Sequence, residues 1–174
     1  MAVPEFFGTI ERSGLSTWIR ESPSLFAFYF ILLLHTVGLA LAVGANVVID
    51  LRILGVASAL PVKPLKQLFR IMWAGLGING ATGVLLLIAY PTKSLTNPVF
   101  YAKLFFIAFA VIVMQRIDAR VFGDSSVSEA SMIARGKAMA IWSLVLWTGA
   151  IAAGRLLAET FKYLTYADIL KGKA

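Results

Sequence analysis

Apolar residues in this chain come in long unbroken runs separated by short polar breaks. Four runs, at about 25–51, 68–90, 99–122 and 137–158, carry very few charges. Each is long enough for the ~20 helical residues that cross a hydrocarbon core of ~30 Å. None alternates apolar with polar positions as the strands of a membrane barrel do. The pattern predicts an all-α fold, a four-helix transmembrane bundle. The breaks carry the expected turn chemistry: Pro61 and Pro64, the stretch Pro91 to Pro98, and Gly123-Asp124-Ser125-Ser126.

Residues 1–22 read as an amphipathic N-terminal interfacial helix or, equally, as a lead-in segment packed on its own bundle. At helical spacing Phe7, Ile10, Gly14 and Trp18 share one face and Glu5, Glu11, Arg12 and Ser16 the other. No basic stretch leads straight into a short apolar core with a small-residue cleavage site, so this segment is expected to be retained. Ser22-Pro23 predicts an N-cap with proline at the first helical position of the first span. The bundle then occupies 23–160. The tail, 161–174, is polar on one side, with Tyr163, Leu164, Ile169 and Leu170 on the other.

Composition narrows the chemistry. Of the 174 residues 59% are hydrophobic and 14% charged, and the mean hydropathy is +0.83, which excludes an ordinary soluble domain. With no Cys and one His, zinc–thiolate sites, iron–sulfur clusters and disulfides have no ligands. The net charge of +7 does not point to nucleic acid, because the basic residues flank the apolar runs rather than cluster on one solvated face. Lys and Arg in short loops beside lipid headgroups are the mark of a protein in a bilayer. The first and third links hold eight cations, Arg52, Lys63, Lys66, Arg70, Arg116, Arg120, Arg135 and Lys137, close to span ends. Eight lie opposite, Arg12, Arg20, Lys93, Lys103, Arg155, Lys162, Lys171 and Lys173, but Lys103 and Arg155 fall inside spans and Lys171 and Lys173 far down the tail. That favours termini on the periplasmic side of a bacterial inner membrane. No G-x-S-x-G elbow, phosphate-binding glycine loop or H-E-x-x-H is present, so an enzyme in its own right is not expected.

An ionisable side chain at membrane depth is a functional candidate. His35 lies roughly 15 Å into the first run at ~1.5 Å per residue. Asn79 and Thr148 fall level with it, and Gly38, Ala42 and Asn46 follow on its face as a groove of small residues. On the second span Trp73, Gly77, Gly80 and Val84 form one stripe and Gly75, Asn79 and Thr82 another. Small residues serve close helix packing. They would also admit a flat cofactor beside His35, and haem b suits a buried imidazole. His35 is then the cofactor and metal ligand, with Gly38, Asn79 and Gly80 beside it and Arg155 near the propionates. No Met lies level with His35 to serve as second ligand. Asp50 and Arg52, at the far end of the first span, are expected to join Arg70, Arg116, Asp118 or Arg120 in a charged cluster able to meet a phosphate or headgroup.

Several stretches together resemble a family of small bacterial membrane proteins grouped as a domain of unknown function. They are Trp18-Ile19-Arg20-Glu21-Ser22, Leu34-His35-Thr36-Val37-Gly38-Leu39-Ala40, Asp50-Leu51-Arg52-Ile53-Leu54-Gly55, Trp73-Ala74-Gly75, Thr82-Gly83, Asn97-Pro98 with Phe100, and Gly154-Arg155. The resemblance implies four spans and an inner-membrane location, with no activity to carry over. Leu34 to Gly38 also looks like the helices of cytochrome b-type and copper-resistance membrane proteins, in which such a His binds haem or metal. Some members of the first family carry a second His where this chain reads Met114-Gln115-Arg116.

Three functions follow. The first is a haem b-binding, redox-associated subunit with His35 as axial ligand. The second is a non-catalytic scaffold in which the same residues lock helices together. The third is a small-molecule or metal permease lined by His35, Asn46 and Asn79. In each case the partners are the lipid bilayer and either further copies of the chain or a larger membrane complex.

Overall fold

The computed structural model describes residues 5–124 and 126–171, with backbone only for 161–171. Its elements are helices α1 (Glu5–Glu11), α2 (Gly14–Glu21) and α3 (Phe28–Ile53), a 3-10 turn (Lys63–Gln67), then α4 (Leu68–Ala89), α5 (Pro91–Leu95), α6 (Pro98–Val121) and α7 (Glu129–Lys171). No strand occurs among the described residues. Four helical stretches, Phe28–Ile53, Lys63–Ala89, Pro98–Val121 and Glu129–Thr160, are long and apolar enough to cross a membrane, with mean hydropathy of 2.1, 1.8, 1.9 and 1.5. Only 11% to 28% of each apolar window is buried inside the bundle, so most of its apolar surface faces outward, as a lipid solvent permits. The expected all-α four-span architecture is what the chain adopts.

α3 pairs with α4 and α6 with α7, and the two hairpins meet along a seam between α3 and α7. Three apolar clusters fill the bundle. One sits at the Lys63 end and includes Ile49, Ile53, Met72, Met114 and Ile117. A middle one gathers Ala110, Trp147 and Ala150. The third, at the opposite end, holds Ile19, Ile31 and Ala89.

Helix ends follow local chemistry. Gly55, at φ +100°, closes α3: its N–H reaches the Arg52 carbonyl and the Val56 N–H that of Leu51, a six-residue C-cap that favours glycine. At α6 the Asn97 side chain accepts from the Val99 N–H at 2.9 Å and Pro98 takes the first position, while its amide donates to Thr160 Oγ1 at 3.0 Å. The Ser128 hydroxyl accepts from the Ser131 N–H, so α7 starts at Glu129 rather than 137. Its backbone continues through the expected break at 161 to Lys171; the tail's side chains lie outside the described residues.

Two N-terminal expectations are corrected. The segment is two helices, because Ser13 caps α2 by accepting from the Ser16 N–H and resets the helical phase. Ser16 and Ile19 are consequently buried, whereas Trp18 is 46% exposed. The Ser16 hydroxyl donates to the Ala89 carbonyl at 3.3 Å, docking α2 on the end of α4. Ser22 caps the end of α2 instead of starting the span, since the Ser22 and Ser24 hydroxyls capture the Ser24 and Phe26 N–H groups in local turns. α3 therefore begins at Phe28.

Candidate functional site

The polar residues inside the bundle form two separate layers. The first is centred on His35, seven residues into α3 and therefore about 10 Å from its start rather than at mid-depth. Here α3 crosses α4 with backbones nearly touching. A Cβ placed on Gly38 would lie 2.7 Å from the Asn79 nitrogen, and one on Gly75 2.6 Å from the Ala42 nitrogen. The groove of small residues below His35 is thus filled by α4 itself, leaving no room for a flat ring between these two helices.

Two hydrogen bonds fasten the crossing. The Asn79 amide donates to the His35 carbonyl at 2.8 Å, and His35 Nδ1 lies 3.0 Å from Thr82 Oγ1. The Thr82 hydroxyl also lies 2.6 Å from the Ile78 carbonyl; donating its one proton there leaves its oxygen to accept from His35, the arrangement in which the imidazole carries its proton on Nδ1. Nε2 keeps a lone pair. Gly83 leaves space for the ring edge, since a Cβ there would stand 3.2 Å from Cε1. On α6, Lys103 lies near enough for its charge to act on the ring, and its stem passes Gly154 of α7. Sequence spacing placed Thr82 on the Asn79 stripe, but the approach of Lys103 depends on how the hairpins dock.

The other expected members of this layer lie elsewhere. Thr148 is exposed on α7 and does not join Asn79. Gly80 is exposed, with nothing of its own chain within 4 Å of a Cβ placed there. Arg155 is exposed one residue beyond Gly154, level with the His35 layer. Arg20, expected on the same side, bonds the Glu11 carbonyl at 2.8 Å.

The second layer lies toward the Lys63 end, where α3 meets α7. Asp50 is 0% and Asn46 1% exposed. The Asn46 amide donates to Asp50 Oδ2 at 2.5 Å and to Ser143 Oγ at 2.6 Å. Ser143, itself fully buried, faces the same carboxyl group. Asp50 Oδ1 is buried without a hydrogen-bond partner. Asn46 and Asp50 stand one turn apart in the sequence, but Ser143 carried no signal beyond being polar within an apolar run. Eleven residues, about 16 Å of helix, separate His35 from Asn46. Trp147, Ala110 and Ala150 pack between the layers, so His35, Asn79 and Asn46 do not line one continuous path.

The charged cluster expected around Asp50 does not form, because Asp50 is inside the bundle and Arg52 turns away. Arg52 Nη2 pairs with Glu129 at 2.5 Å and donates to the Ser58 carbonyl at 3.2 Å, and its Nε donates to the Leu60 carbonyl. It clamps the loop after α3 to the start of α7. Arg70 and Arg116 are exposed. Trp73, 44% exposed, lines a cavity of about 220 Å³ between α4 and α6 with Lys66, Phe69, Met114, Gln115 and Asp118, far from His35. In the loop beyond it the Ser126 hydroxyl and N–H hold the Asp124 carboxyl below the usual carboxylate range.

Among the described residues no group of three or more His, Cys, Asp or Glu is placed to hold a metal ion. Comparison with family models, curated proteins and solved structures finds no match to this chain.

Proposed function

We propose that this chain is a non-catalytic structural subunit of a membrane assembly, a multi-pass bundle of the bacterial inner membrane with periplasmic termini. The observation that carries this reading is the α3–α4 crossing. His35 Nδ1, the His35 carbonyl, Asn79 and Thr82 are all engaged in fastening the two helices over a backbone contact between Gly38 and Gly75. Polar groups used in this way serve helix association rather than chemistry. Gly77 and Gly80 support the assembly. They lie exposed on α4, where a Cβ would meet nothing within 4 Å, so their own chain gives no reason for glycine.

A second reading has one observation in its favour. Thr82 Oγ1 is the hydrogen-bond partner of His35 Nδ1, and imidazole ligands are commonly oriented by such a bond while Nε2 binds iron. Haem b on His35 would need its slot at a boundary with another copy or subunit, since α3 and α4 close on each other. Lys103 and Arg155, at the same level, are the cations available to its propionates.

An absorption spectrum of the mildly solubilised protein, as isolated and after dithionite, separates the two. The structural reading expects a colourless protein whose His35→Ala variant unfolds at lower temperature and associates less. A Soret band that shifts on reduction and vanishes in His35→Ala overturns it in favour of haem.

A further inference from the structure

Asp50 carries a buried carboxyl oxygen that the helix-locking role leaves unexplained. The residue is fully buried on α3 between Ile49 and Ile53, which belong to the apolar cluster at the Lys63 end. Leaving a carboxylate there uncompensated is costly, because no cationic side chain among the described residues offsets the lost hydration. Charged groups on the surrounding helices turn elsewhere among the described residues. Arg52 pairs with Glu129, and Arg70 of α4, Arg116 of α6 and Lys137 of α7 are exposed. Asp118 of α6 lines the cavity toward Lys66 and Gln115. The groups that do face Asp50 are the Asn46 amide and Ser143, and Oδ1 is buried without a hydrogen-bond partner.

The ligand such a site takes follows from its donors. A metal ion needs several oxygens pointing at it. Here the amide turned toward Asp50 and Ser143 is the Nδ2 donor of Asn46, which would repel a cation. A proton needs only one carboxyl oxygen and removes the charge that the site cannot hold. The location gives this a consequence. The Asn46–Ser143 bond crosses the seam between α3 and α7, where the two hairpins dock.

We propose that Asp50, with Asn46 and Ser143, is a membrane-embedded proton-binding site whose occupancy holds the two hairpins together. With the proton bound, the carboxyl is neutral and the seam stays dry. Release breaks the O–H bond at one carboxyl oxygen and passes the proton to water. A negative charge is left between the hairpins, which then admit water or part. This proposal does not depend on the scaffold reading, and its test is independent of any colour or His35 phenotype.

The experiment uses the full chain in mild detergent and dicyclohexylcarbodiimide, an apolar reagent that adds to protonated carboxyl groups. The acid oxygen joins the central carbon and its proton a nitrogen. Mass mapping is expected to find the adduct on Asp50, with a rate that falls about tenfold per pH unit above the midpoint, as for one bound proton. Infrared difference spectra are expected to show a protonated-carboxyl stretch that Asp50→Asn lacks. Either signal upholds the site. Absence of both across about pH 5–9 overturns it, as does protection of Asp50 by added Na⁺, which would assign the site to a metal cation. Docking is read from thermal unfolding. Wild type should lose stability as pH rises through that midpoint while Asp50→Asn, a neutral mimic of the acid, does not; matching pH profiles would overturn the coupling.

Discussion

Gly38 and Gly75 are in backbone contact: a Cβ on Gly75 would lie 2.7 Å from the Gly38 carbonyl oxygen, and one on Gly38 2.8 Å from that of Gly75. Neither neighbour is the end of a flexible side chain, so any added atom must separate α3 from α4. Gly38→Val or Gly75→Val is expected to lower stability by about 1–3 kcal/mol, the range for overpacking a tight interior. Gly44→Val serves as the control, because Gly44 is exposed on α3 and a Cβ there meets nothing of its own chain. Thermal unfolding in detergent should rank both interior variants well below the control. Equal midpoints would mean that the crossing is not so close.

Thr82 holds the ring of His35 by an acceptor lone pair, and its methyl group does not carry the effect. Thr82→Val keeps the shape and removes the acceptor, which should cost about 1 kcal/mol. Thr82→Ser should retain most of it. Imidazole nitrogen shifts offer an independent reading, with the proton on Nδ1 in wild type and a mixture of tautomers in Thr82→Val. A wild-type proton on Nε2 would contradict the arrangement.

Arg52 is 5% exposed and its partner Glu129 39%, so the pair is buried on one side only. Glu129→Gln leaves a buried cation with two carbonyls, and should destabilise by about 1–3 kcal/mol, less than a fully buried pair loses. Arg52→Gln releases the loop after α3 and should open it to proteolysis between Gly55 and Pro61. The two residues share one interaction, so the double variant should lose less than the sum of the single ones. Additive losses would argue that the pair contributes nothing beyond its separate contacts.

Ile19 is fully buried at the end of the bundle beside Ile31 and Ala89. Truncation to Ala should cost about 2–5 kcal/mol of local docking, as for a core Ile. Hydrogen exchange is expected to rise across 5–21 while the spans keep their protection. A uniform rise through all helices would instead make α2 part of the bundle's cooperative unit.

The four spans could be read from the sequence alone, because hydrocarbon imposes a minimum length and an unbroken apolar character that no other setting requires. The glycine-rich faces of the first two spans and the stripe joining Gly75, Asn79 and Thr82 were legible for the same reason: residues three and four apart share a helix face. Helix ends were less so. Ser22-Pro23 has the composition of a start, yet competing serine turns delay α3 to Phe28, a choice made by local hydrogen bonds of similar strength.

Tertiary structure alone decided which polar groups meet. Periodicity gives a residue's angle and depth on its own helix, whereas partnership depends on how neighbouring helices rotate and cross. Thr148 shares the depth of Asn79 but faces outward, and Asp50 stands two residues from Arg52 yet points into the seam while Arg52 reaches Glu129. In an apolar solvent the outside of a helix is as apolar as the inside, so the hydrophobic pattern that orients a soluble helix is missing here. Rotation was set instead by the Gly38–Gly75 contact and by a few buried hydrogen bonds, which only the packed chain brings together.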